Sequence, residues 1–335
     1  MSSQPAHQPP PLPTARLNDA ERIACLRLIR TPSVGPVTFR ELINVYGGAH
    51  AALDALPELS ARSGRRALSI PPASRAEAEL AAAEKAGARA LFTIDPGYPM
   101  RLATLDAPPP CLYVKGNAEL LSTPSVALVG SRKCSANGIA ITRQLAAGVG
   151  AAGYVTVSGL ARGIDAAAHE ASLATGTVAV VAGGIDVVYP PEHDILLARI
   201  AEEGVVVAEL PPGYQPRAQD FPRRNRIIAG LALGVVVVEA AQRSGSLVTA
   251  RYAEEFDRTV MAVPGHPRDP RAYGTNRLIR DGATLIATTE HVLQELVPMT
   301  DRTPVRPHQS TRAAHGPTGF EEHAVRPPSL PQTSS

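Results

Sequence analysis

The sequence predicts an α/β fold: an extended Rossmann-like, mostly parallel sheet with helices on both faces, preceded by a small all-α module. Short β-branched runs recur at 126–129, 155–157, 178–181, 205–207, 235–238 and 260–263. Most are followed by glycine and then by an alanine-rich stretch of helical spacing. The runs are almost wholly apolar, which implies burial on both faces and so a parallel sheet covered by helices.

Residues 1–15 and 297–335 are rich in Pro, Ser, Thr and His without hydrophobic period, and both read as disordered tails. Between them, residues 16–72 begin with Ile23, Leu26, Leu28 and Ile29 at helical spacing. After the punctuation at Gly35-Pro36 come Phe39, Leu42, Ile43 and Tyr46. Two short helices joined by a V-G-P turn resemble a helix-hairpin-helix or SAM-like module, although a purely structural helical packing unit fits the same pattern. Residues 73–296 carry the alternating pattern. Within them, 91–117 contain two short strands and several prolines, the signature of a sheet edge. At the far end Val292, Leu293 and Leu296 share one helical face, which can pack on its own domain or meet a second protomer.

Composition narrows the function. Net charge is +2, aromatic residues are 4% and tryptophan is absent. A bulk basic signature is therefore missing, and a polyanion site must be a local cluster. Cys25, Cys111 and Cys134 lie far apart with no C-x-x-C pair, which fits a reducing cytoplasm and disfavours disulfides or zinc. The N-terminus lacks an apolar signal region, and no apolar run approaches the ~18 residues of a membrane span. His169, His193, His266 and His291 show no paired-ligand spacing, so no metal is expected, and His169 reads as packing within a helix. The serines lack a G-x-S-x-G setting.

Ligands of an open parallel sheet bind beyond the carboxyl ends of its strands. There the sequence places Gly130, Ser131, Arg132 and Lys133; Ser158, Gly159, Arg162 and Gly163; and Arg243, Ser244, Gly245 and Ser246. Glycine admits close backbone approach, helix N-termini favour anions, and the hydroxyls and cations complete a cradle for phosphates. The usual nucleotide cofactors are disfavoured: the first turn is G-S-R-K rather than G-x-G-x-x-G, and no G-x-x-x-x-G-K-[ST] occurs. The densest feature is Phe221, Arg223, Arg224, Asn225 and Arg226. Residues 217–226 hold four arginines, Arg217 included, against the single acid Asp220. Arginine forks suit phosphates, Asn225 suits a base or sugar, and Phe221 offers a stacking face.

The motifs at 130–132, 158–173, 183–193, 221–231, 244–251 and 263–265 fall in one order and together resemble the DNA-processing protein family DprA, also called Smf, over about residues 90–296. That resemblance implies a non-catalytic single-stranded DNA-binding protein that protects incoming DNA and helps load RecA recombinase during natural transformation. It also implies a homodimer without cofactor. Arg132 and the 223–226 cluster would contact phosphates, with Gly159, Gly163, Ser244, Gly245 and Ser246 shaping the pocket. The winged helix that ends many members looks absent from 297–335, which holds seven prolines. Two other readings share the phosphate cradle. A lysine-decarboxylase-like (LOG) nucleotide N-glycosidase would need a carboxylate near Arg251. Glu239 is the nearest substitute, although an ion pair with an arginine suits that strand end better. A non-catalytic nucleotide-sensing scaffold would need a closed pocket.

Overall fold

The computed structural model describes residues 17–62 and 68–300. The chain opens with α1 (Asp19–Ile29), α2 (Pro36–Tyr46), α3 (Ala49–Arg62) and α4 (Ala73–Lys85). Asn18 starts α1 by accepting the Glu21 N–H at 2.8 Å. Proline at the first position of α2 needs no N–H partner there, and Gly47 (φ 78°) closes that helix in the left-handed region.

The sheet then alternates with helices: β1 (Arg89–Phe92), α5 (Met100–Ala103), β2 (Cys111–Gly116), β3 (Ser125–Val129), α6 (Ala136–Ala151), β4 (Val155–Ser158), α7 (Ile164–Ser172), β5 (Thr177–Val181), α8 (Asp194–Glu203), β6 (Val205–Ala208), α9 (Asp220–Leu231), β7 (Gly234–Val237), α10 (Ser246–Glu255), β8 (Thr259–Ala262), α11 (Tyr273–Arg280), β9 (Thr284–Leu285) and α12 (Thr289–Thr300). The strand order is β1-β2-β6-β5-β4-β3-β7-β8-β9. From β3 to β9 every pairing is parallel, while β1 and β2 add an antiparallel edge. Every residue of β3 and β5 is buried, as their apolar runs require. Strand order reverses between β3 and β7, so the topological switch point lies at the carboxyl ends of those two strands.

One hydrophobic cluster runs without a break from Leu26 and Phe39 of the leading helices to Tyr113, Ile200 and Val206 on one face of the sheet. Polar ties reinforce it: Arg30 pairs with Glu79 at 2.6 Å, the Tyr113 hydroxyl donates to Glu79, and Arg22 donates to the Ala90 carbonyl at 3.2 Å. Helical spacing anticipated two leading helices; α3 is a third. The alternating pattern placed residues from 73 onward in the α/β segment, and α4 packs on α1 as well as beside β1.

The apolar face suggested for dimerisation is a correction. Val292 and Leu296 are fully buried against α6 and β8 of their own chain, with Leu293 packed beside them, because α12 needs that stripe to cover the sheet. Residues 297–300 are helical, continuing α12, and not the start of a tail. The expectations for 1–15, for the remainder of 297–335 and for the winged helix fall outside the described residues. Among the described residues no helix is long and apolar enough to cross a membrane.

Candidate functional site

The switch-point crevice is filled by the protein itself. Ser135 caps α6, accepting the Gly138 N–H at 2.9 Å. Its own N–H and hydroxyl donate to the Glu239 carboxylate, which follows β7, at 2.9 and 2.5 Å. Gly138 makes the room, since a Cβ there would lie 2.7 Å from the Glu239 carboxyl carbon. The anion at this helix N-terminus is thus a resident side chain. Glu239 bonds to Ser135 and not, as its position suggested, to an arginine.

A recess opens beside the crevice at the ends of β3, β4 and β5. Its walls are Arg132, Leu160, Arg162, Tyr189 and Phe221, and Arg224 lies beneath. The Arg132 guanidinium sits 5.3 Å from the Phe221 ring centroid, within cation–π range. Phe221 meets Tyr189 at 5.1 Å with a tilt of 53°. Leu160, buried with φ 56°, holds a backbone conformation that side chains rarely adopt, and such residues concentrate at functional turns. Its carbonyl accepts from the His193 ring at 2.9 Å.

Beneath the recess Arg224 is buried and donates to the carbonyls of Gly159 (2.6 Å) and Val180 and to Asn225 Oδ1 (3.1 Å). Gly159 is required by this approach, because a Cβ would sit 2.7 Å from the guanidinium. Burial pulls the Arg224 pKa down to about 10, against the attraction of nearby Asp165. Asp165 accepts the N–H groups of Gly159 (3.2 Å) and Ala161 (3.3 Å). Burial pushes its carboxyl up while Arg224 pulls it down. These contacts fix the turn that carries Arg162.

The cluster at 223–226 does not act as one surface, since successive helical residues point about 100° apart. Arg224 and Asn225 face inward, Asn225 donating to the Gly245 carbonyl at 3.1 Å. Arg223 and Arg226 both reach Glu209, at 3.3 and 2.5 Å, and Arg226 also donates to the Ala107 carbonyl. Ser158 is a further correction: its buried hydroxyl donates to the Leu128 carbonyl at 2.6 Å, so it serves the sheet and not the rim. The Ser244 and Ser246 hydroxyls bond each other at 2.8 Å beside exposed Gly245. Ser131 accepts the Lys133 N–H at 3.1 Å, and Gly130 and Gly163 lie where the turns after β3 and β4 press together. Arg132, Lys133, Arg217 and Arg243 are exposed and form no ion pair among the described residues. Tyr189, Glu192, Glu209 and Asp165 were not singled out from the sequence. Asp165 lies within the 158–173 motif, and Tyr189 and Glu192 within the 183–193 motif, which was the available signal.

Comparison with known proteins identifies the family. The family model described as DNA recombination-mediator protein A matches residues 89–297, more than half the chain, and a DprA-like N-terminal HHH domain matches 19–82. The chain is 45% identical over 204 residues to the DNA processing protein DprA of Streptococcus pneumoniae, covering 60% of this chain and 72% of that one. Protein Smf of Synechocystis is 40% identical over 216 residues, covering 62% of this chain; the match spans about half of that relative, 54%. Among solved structures, the S. pneumoniae DprA has a TM-score of 0.63 at 40% identity, covering 68% of this chain and 78% of that one. DNA processing protein A of Helicobacter pylori, solved to show its single-stranded DNA binding mode, has a TM-score of 0.57 at 29% identity, covering 63% and 96%. With fold, motif order and both family models in agreement, the chain belongs to the DNA recombination-mediator protein A family.

Proposed function

We propose that this chain binds single-stranded DNA in the cytoplasm as a non-catalytic recombination mediator, passing the strand to RecA and acting as a homodimer. The observation that carries the DNA reading is the recess in which Arg132 lies over Phe221 beside Tyr189; Lys133, Arg217 and Arg243 add exposed cations that form no ion pair among the described residues. Arginine and lysine neutralise phosphates, the aromatic faces stack bases of any sequence, and few groups are free to read base edges. Glu239 argues against a nucleotide sensor, because the place where a helix N-terminus would take a nucleotide phosphate holds a carboxylate. It argues equally against the N-glycosidase reading, since Glu239 is engaged by Ser135, and Arg251 pairs with Glu255 on α10. Dimerisation and RecA transfer rest on the family, and the α12 stripe does not supply the dimer face.

Fluorescence anisotropy with single-stranded, double-stranded and mononucleotide ligands at several salt concentrations tests the reading. About four neutralised phosphates give log K against log salt a slope of roughly −3. Arg132→Ala should weaken single-strand binding about tenfold to a hundredfold, the range for loss of a charged hydrogen bond. Equal affinity in the variant, or full competition by a mononucleotide at comparable concentration, would remove the proposal.

A further inference from the structure

We propose that Glu192 is a built-in competitor for phosphate, holding Arg162 in an ion pair that a DNA phosphate must displace, and so setting how tightly the strand is held. The inference rests on the DNA-binding reading above and concerns the same recess. Arg162 is a wall of the recess, yet its guanidinium is hydrogen-bonded to the Glu192 carboxylate. Both partners are open to solvent, at 61% and 46% side-chain exposure, so the pair can part. The Glu209 clamp on Arg223 and Arg226 differs, since Glu209 is only 11% exposed and holds two arginines at once.

Both backbones that present the pair are anchored. The Arg162 turn is fixed by Asp165, which accepts the Gly159 and Ala161 N–H groups, and by the Ile164 N–H donating to the Ser131 carbonyl at 3.3 Å. Glu192 belongs to a single 3-10 turn, Pro191–His193, and the neighbouring His193 ring donates to the Leu160 carbonyl at 2.9 Å, strapping that turn to the Arg162 loop. The hydrogen bond from Arg162 also holds the Glu192 carboxyl below its ordinary range, keeping it ionised. Of the three guanidinium groups at the recess, Arg224 is spent on buried acceptors, Arg162 is occupied by a carboxylate, and Arg132 has no ion pair among the described residues. A strand laid across it finds Arg162 already neutralised by Glu192 until the pair opens, and exposed pairs of this kind are weak enough for a phosphate to replace.

The test is Glu192→Gln, which keeps the shape and removes the charge, in the full chain with a fluorescent oligodeoxythymidylate. Single-strand affinity should rise about threefold to tenfold at low salt. One added phosphate contact should steepen the salt slope by roughly 0.7. Combining the change with Arg162→Gln should cancel both gains, because the released cation is then absent. A folded E192Q protein, checked by its melting temperature, with unchanged or weaker affinity and the wild-type slope overturns the inference while leaving DNA binding intact. A gain that survives in the double variant also overturns it, because repulsion alone would then explain the effect. A wild-type chain that does not bind the oligonucleotide removes the underlying DNA reading instead, and the competitor with it.

Discussion

His169 lies wholly buried on α7, with Nδ1 2.7 Å from the Thr177 hydroxyl and Nε2 without a partner among the described residues. Burial, with Arg224 and His193 nearby, lowers its pKa to about 3. The folded state therefore keeps the imidazole neutral where the unfolded chain, with a value near 6.5, takes up a proton. Between about pH 3 and 6.5 the unfolded state binds more protons, so this stabilisation is intact above the window and is lost as pH falls through it. The slope approaches 1.4 kcal/mol per pH unit, about 2 kcal/mol between pH 6.5 and 5. Asp165 has the opposite sign: its raised carboxyl stabilises the fold at low pH, and that contribution is lost as pH rises through its folded value. His169→Asn removes only the first effect, so urea midpoints at pH 7 and pH 5 should differ less in the variant than in the wild type. Equal differences would contradict a buried neutral ring. At this scale the sequence shows which side chains could grip an anion, but not which are spent inside. Arg132 and Arg224 are indistinguishable as letters; one stands over Phe221, and the other is consumed by three acceptors.

The turns after β3 and β4 are one structural unit. Gly163 starts α7 at φ 78° and ψ −118°, and a Cβ there would lie 2.5 Å from the Ser131 carbonyl oxygen. Gly163→Ala should therefore cost about 2 kcal/mol or more in a urea titration, from backbone strain and the clash together. By pushing on the Arg132 turn it should also weaken single-strand binding. A variant of wild-type stability and affinity would show that the two turns move independently. The six apolar strands were legible, because β-branching and continuous apolar runs mark strands buried on both faces, and so was a sheet edge at 91–117; that the edge runs antiparallel was not. The two-residue β9 was not, since Thr284-Leu285 is too short to carry a period. The second allegiance of α4 was hidden for another reason: amphipathic spacing shows that a helix has a buried face, not which neighbours cover it.

Across the whole molecule, acids from distant segments converge on a rim that looked strongly basic in a ten-residue window. Glu192, Glu209, Asp165 and Glu239 follow four different strands, and the near-neutral total of +2 is the trace they leave in the composition. The same long-range convergence builds the core, where Leu26 and Phe39 share a cluster with Tyr113, Val206 and Ile200. If that cluster is one cooperative unit, a cavity at one end must be felt at the other. Leu26→Ala, at a fully buried position, should cost about 2–5 kcal/mol. Hydrogen exchange read by mass spectrometry can locate the loss, because amides that open only by global unfolding all lose protection by the same factor. Amides of β5, on the far side of the cluster from α1, should then exchange at least about thirtyfold faster in the variant, together with those of α2. Protection lost in α1 to α3 while β5 stays as in the wild type would mean that the leading helices open on their own. The shared cluster would then be a docking surface and not a common core.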